Sequence, residues 1–131
     1  GILNFHIKKL DYVIKTRRKN AKKYQMLLDR NNVFIPNESK NNFDTYQTFV
    51  IQVKKRDQLK SYLKSRGIQT FIHYSVPIHL QPAAKKYGYK KGSFPMIEKQ
   101  ANEILSLPVN EYISFEDIEL ICNEINSFFN K

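Results

Sequence analysis

Ile72-His73-Tyr74-Ser75-Val76-Pro77-Ile78-His79-Leu80-Gln81-Pro82 sets two imidazoles and a phenol in one short run that also holds two prolines. Proline fixes its own φ and drives the preceding residue out of the helical region, so Val76 and Gln81 are expected to be extended. The side chains between them are then held in place. The run reads as a stiff loop that presents polar ring groups, and His73, Tyr74 and His79 are the candidate ligand-contacting residues.

Upstream of the loop, positions 68–72 read as a strand and Gly67 as the left-handed stop of a helix. Leu59, Tyr62 and Leu63 give that helix its inner face, and Asp57 is its expected cap. Before it, Tyr46-Gln47-Thr48-Phe49-Val50-Ile51-Gln52-Val53 is rich in β-branched and aromatic residues and reads as a strand buried largely on both faces. The result is a strand-helix-strand unit leading into the histidine loop. Downstream, a short helix is expected over 81–87, and Gly88 and Gly92 flank a lysine-rich turn. Pro95 suits a first helical position, with Ile97, Ala101 and Ile104 on one face, and Ser106-Leu107-Pro108 closes that element in an extended stretch. The last helix has the clearest signature: Ser114 opens a capping box completed by Asp117, and Ile118, Ile121, Cys122, Ile125, Phe128 and Phe129 follow at helical spacing.

Toward the N-terminus, Leu3, Ile7, Leu10, Ile14, Ala21, Tyr24 and Leu28 call for one long helix over residues 1–30, closed by Asn31-Asn32. Arg17 interrupts its stripe. The pattern is already running at residue 3 with no capping residue before it, so the helix is expected to begin mid-element, as in a truncated chain. Residues 36–42 form a polar connector. The reading is one α+β domain over 1–131, a long helix (1–30) followed by a small α+β body (43–131).

At 131 residues with 41% apolar content the chain can bury one core, and no apolar run approaches the roughly 20 residues of a membrane span. The start lacks a signal peptide's charged and apolar regions, so the chain reads as cytoplasmic with no membrane partner. Asn37-Glu38-Ser39 matches a glycosylation acceptor without a secretory context. Cys122, the single cysteine, lies on the last helix's apolar stripe and reads as a buried, inert thiol. Metal is disfavoured, because neither carboxylate nor cysteine joins His73 and His79 in the loop. General acid-base work by either imidazole is disfavoured too, for want of a neighbouring nucleophile and orienting partner.

The net charge of +10 favours an anionic partner without choosing one. Lys15, Arg18, Lys19 and Lys22 fall within an arc of roughly 100° on the first helix. With Lys86-Tyr87-Gly88-Tyr89-Lys90-Lys91 they raise a standalone basic module binding nucleic acid as an alternative, although a solvated helix face and a surface turn explain both and no nucleic-acid motif accompanies them. A dimerisation role for the first helix is a further alternative, weakened by Arg17 at a seam position.

Arg17-Arg18 with Ala21-x-x-Tyr24, Arg56-Asp57-x-Leu59, Arg66-Gly67-Ile68-x-Thr70-x-Ile72-His73-Tyr74, Pro77-Ile78-His79-Leu80-Gln81-Pro82, Phe94-Pro95-x-x-Glu98 and Ile104-Leu105-Ser106-Leu107-Pro108 occur here in one order. That order resembles the C-terminal part of the DegT/StrS-type aminotransferases. Ser75 departs from the proline common after His-Tyr in that family. The resemblance implies the small domain of a fold-type I pyridoxal-phosphate enzyme, an antiparallel sheet flanked by helices and preceded by a long helix. It also implies that the Schiff-base lysine, the aspartate facing the pyridine nitrogen and most phosphate ligands lie in a larger N-terminal domain. No catalytic or cofactor-binding residue is carried over to this chain, and alone it is expected to be inactive. The implied complete enzyme is a homodimer that takes an amino group, from glutamate as the expected donor, to a nucleoside-diphosphate keto sugar. Dehydration on the same scaffold is the alternative chemistry. His73, Tyr74 and His79 are expected on the sugar-nucleotide side of the cleft.

Overall fold

The computed structural model describes Asn4 and residues 7–130. Leu3, the first residue of the predicted apolar stripe, lies outside the described residues. In chain order the elements are α1 (Leu10–Leu27), β1 (Phe49–Gln52), α2 (Arg56–Ser65), two 3-10 turns (Ile78–Leu80 and Pro82–Tyr87), α3 (Pro95–Glu103), β2 (Ile104–Leu107) and α4 (Phe115–Phe129). β1 and β2 pair antiparallel, with Phe49 opposite Leu107 and Ile51 opposite Leu105. The α+β class and the small antiparallel sheet behind a long helix are as expected.

Alternation of side chains along a strand decides what each sheet face does. Phe49, Ile51, Leu105 and Leu107 are buried and meet Ala21 and Tyr24 of α1, Leu59 and Leu63 of α2, and Ile118, Ile121 and Ile125 of α4 in one core. Each such side chain stabilises the fold by about 1.5–3 kcal/mol through burial. Tyr24 stacks on Phe49 at 4.9 Å, joining α1 to the sheet. Val50 and Ser106, paired with each other, point the other way.

α1 and α4 run parallel, since their contacts advance together. Arg17 pairs with Glu111 just before α4, Lys23 with Glu119, and Asn126 bonds to the Asp29 N–H and the Leu27 carbonyl. α4 therefore covers only the later part of α1. Ile7, Leu10 and Tyr12 stay exposed, and burial begins at Asn20 and Ala21. The helix also ends before Asn31-Asn32, because Leu28 turns extended while burying its side chain.

Three other expectations shift. The strand predicted over 46–53 starts at Phe49, because Tyr46 has φ +49° and its N–H is taken by the Asp44 carboxylate in a local turn. The strand predicted over 68–72 reduces to one bridge, Phe71 with Ser106. In the antiparallel register of that bridge Gln69 falls opposite Pro108, which has no N–H to continue the ladder, and at the other end Arg56, buried at 7% exposure, already donates its Nη1 to the Ile104 carbonyl opposite His73 at 3.0 Å. Asp57 sits inside the first turn of α2 rather than capping it, and holds Arg56 Nε at 2.6 Å. Gly67 supplies the left-handed stop at φ +76°, and Gly88 ends the second 3-10 turn at φ +73°.

Candidate functional site

The single bridge at Phe71 delivers the chain to the sheet's non-core face at Ser106, and His73 follows two residues later. Its Nδ1 shares a 2.7 Å hydrogen bond with Ser106 Oγ. Phe71 lies 6.1 Å from the imidazole, centroid to centroid. Ser106 is itself buried, so the ring is fixed from behind and its Nε2 has no partner among the described residues. His73 lines a cavity of about 350 Å³ whose wall also carries Arg17, Gln47, Thr48, Gln69, Ser106 and Asn110. Amides, hydroxyls and one guanidinium, set among the apolar Phe71, Leu107, Pro108 and Val109, offer hydrogen bonds to an oxygen-rich ligand.

The three sequence-predicted residues do not converge. Tyr74, next to His73, adopts φ +62° and is 86% exposed, a left-handed placement that costs about 1–2 kcal/mol for a residue with a side chain. The proline-stiffened stretch behaves as expected at Gln81, which is extended. His79 turns inward in the first 3-10 turn, 9% exposed, with Nε2 3.0 Å from Glu98 Oε1 and its ring edge-on to Phe94 at 4.9 Å. It borders a different cavity of about 290 Å³, walled by Ile78, Ala84, Tyr87, Tyr89, Phe94 and Ile97 and almost wholly apolar. Burial opposes charge on Glu98. Hydrogen bonds from His79 and from the Gly92 and Phe94 N–H groups outweigh it and hold the carboxyl below the usual range. His79 thus ties the loop to the turn before α3.

Arg17 and Ser106 were missed as site residues. The signal for Arg17 was there, a cation at a position the helical stripe reserves for apolar groups. Ser106 gave none, because its partner arrives from 33 residues away only through the fold. The lysine arc of α1 lines a larger cavity, about 630 Å³, against Phe43 and Tyr46. Arg18 there is bound bidentately by Glu38 and stacks over Phe43 at 4.2 Å.

Pyridoxal phosphate needs a lysine amine within its site and an acid opposite the ring nitrogen. Among the described residues no lysine, aspartate or glutamate lines the His73 cavity. The residues lining this cavity do not by themselves fit that cofactor.

The chain matches the family model "DegT/DnrJ/EryC1/StrS aminotransferase family" over residues 1–126. It is 35% identical to the "Pleiotropic regulatory protein" of Geobacillus stearothermophilus, covering 98% of this chain and 36% of that protein. It is 30% identical to the dTDP-3-amino-3,6-dideoxy-alpha-D-galactopyranose transaminase of Aneurinibacillus thermoaerophilus, covering 98% of this chain and 35% of that one. The crystal structure of S. venezuelae DesV superposes with a TM-score of 0.91 at 26% identity, over 99% of this chain and 35% of DesV. The chain thus spans about a third of the length of the curated relatives it matches. With motifs, topology and superposition in agreement over nearly every residue, this chain belongs to the DegT/DnrJ/EryC1/StrS aminotransferase family.

Proposed function

We propose that these residues form the small domain of an aminotransferase that aminates a keto sugar carried on a nucleoside diphosphate, and that the His73 cleft is the wall this domain contributes to the sugar-nucleotide site. The observation that carries the reading is His73 itself. Its imidazole is anchored through Nδ1 by a buried serine and borders, with a second ring nitrogen to offer, a cavity that carries amides, hydroxyls and one guanidinium but no carboxylate among the described residues. Such a wall binds and orients hydroxyls and phosphate oxygens without competing carboxylates. Tyr74 stands exposed beside it and reaches the substrate from the rim. His79, bound to Glu98, keeps the loop in register from behind.

Pyridoxal phosphate supplies the electron sink through which an amino group is transferred. Its Schiff-base lysine belongs, in this proposal, to the part of the relatives' length that the chain does not span. The 131 residues alone accordingly show no transaminase activity. The complete protein is proposed as a cytoplasmic homodimer with glutamate as amino donor.

The test replaces His73 in the complete protein. His73→Asn keeps a short polar group near Ser106 and removes the ring nitrogen that faces the cleft. A fall in kcat/KM for the sugar nucleotide of about tenfold or more is expected, with unfolding unchanged. Wild-type turnover in the folded variant removes His73, and the cleft with it, from the substrate site.

A further inference from the structure

We infer that Arg17 is the anion-recognising, specificity-determining residue of the His73 cleft, an inference that rests on the sugar-nucleotide reading above. Arg17 sits on α1 and lines the cavity, whereas its ion-pair partner Glu111 does not. Arg17 therefore borders the cleft while the carboxylate that pairs with it is off the wall. Nε and Nη2 both donate to Glu111 Oε2, at 3.1 and 3.0 Å. A guanidinium carries five N–H donors, so both Nη1 protons and the second Nη2 proton have no partner among the described residues.

Arg17 is the one residue of Lys, Arg, Asp or Glu type on the cavity wall. Its side chain is 23% exposed and that of Glu111 15%, enough desolvation to make a charge-assisted hydrogen bond stronger than at an open surface. The Glu111 carboxyl is held below the usual range by its own backbone N–H and, against burial, by Arg17, so it stays ionised behind the cation. That acid does two things. It fixes the plane of the guanidinium, which lowers the entropy lost on binding, and it cancels part of the field an incoming anion feels. A wall with one partly neutralised cation among Gln47, Thr48, Gln69 and Asn110 matches a polyhydroxylated ring with one anionic group near Arg17. The anion is either the diphosphate beside the sugar or a carboxylate on the sugar itself, and the experiment separates the two.

The complete protein and its R17Q, E111Q and H73N variants are titrated with UDP-glucose, dTDP-glucose and UDP-glucuronate. R17Q is expected to weaken binding by about tenfold or more, because a partly buried charged partner is removed. Equal loss for every ligand that the wild type binds assigns Arg17 to the diphosphate. Loss confined to UDP-glucuronate assigns it to the sugar carboxylate. E111Q, which keeps an oxygen for Arg17 to donate to and deletes the charge behind it, is expected to tighten the same ligands by roughly threefold. A pair serving only to hold α1 to the chain before α4 gives no such tightening, and an E111Q protein that binds no better overturns the inference. Should R17Q unfold, R17K carries the test, since it keeps a cation and loses the fork. Weaker binding by R17K supports Arg17 as the reader, and unchanged binding removes it. If R17Q and E111Q bind as the wild type does while H73N binds worse, Arg17 is excluded and the cleft stands. A wild-type protein that binds none of the three ligands withdraws the sugar-nucleotide reading together with this inference.

Discussion

At the scale of single residues, burial sets chemistry that the sequence names but cannot weigh. Cys122 is 1% exposed, and burial, with the Glu119 charge adding to it and Lys23 opposing, pushes its thiol up to about 12. The thiolate is the reactive form, so almost none is present near neutrality. An aromatic disulfide reagent at pH 8 is expected to leave Cys122 unlabelled in the native protein over hours and to modify it within minutes in denaturant. Fast labelling of the folded protein contradicts this burial. Tyr24 shows the other side of the same physics. Its hydroxyl is buried with no partner among the described residues, and desolvation pushes the phenol well above its ordinary value. His73 and His79 stand six positions apart in one loop, yet one backs onto a serine beside a cleft of mixed polarity and the other onto a glutamate beside an apolar cavity. Nothing local to either histidine distinguishes them, because each role comes from a partner far along the chain.

Whole elements were legible wherever a local chemical signal closed them. Ser114 and Asp117 form the predicted reciprocal capping box, with the Asp117 N–H donating to Ser114 Oγ at 3.0 Å and the Ser114 N–H reaching the Asp117 carboxylate. Ser114→Ala is expected to lower stability by about 1 kcal/mol, read as a shift of the urea midpoint at constant slope. No shift removes the box as a source of α4 stability. The Asp57 expectation went differently because an acidic residue in a first turn gains from the helix dipole without capping, and here Arg56 holds its carboxylate. Positions 68–72 have the β-rich composition of a strand, but whether a ladder forms depends on whether the neighbouring edge has free acceptors. Arg56 occupies one, opposite His73, and opposite Gln69 the edge presents Pro108, which has no N–H to give in return. No property of the 68–72 segment reveals that competition.

At the scale of the whole molecule, acid is expected to unfold the domain partly through three carboxyls. Glu38, Glu98 and Glu111 all lie below the ordinary glutamate value of 4.5 in the folded state. A carboxyl depressed by folding adds stability that is complete above its unfolded value and lost as pH falls through the folded one. Stability is therefore expected to drop as pH falls below 4.5, and an E98Q/E111Q double variant to show a shallower drop between about pH 5 and 3, followed by urea midpoint at each pH. The variant keeps the loss that comes from repulsion within a chain of net charge +10, so the difference between the two curves isolates the paired carboxyls. Coincident curves contradict the depressed values. The sequence by itself determined the α+β class, the apolar face of α4, its capping box, the Gly67 stop and the family, because periodicity, capping and turn chemistry act over a few neighbouring residues and the family motifs are strings in one order. Tertiary structure alone decided that Arg17 borders the cleft, that Ser106 anchors His73, that His79 pairs with Glu98 and that the second predicted strand shrinks to a single bridge. Each of those depends on a partner from 19 to 94 residues distant, and only packing brings such partners within hydrogen-bonding range.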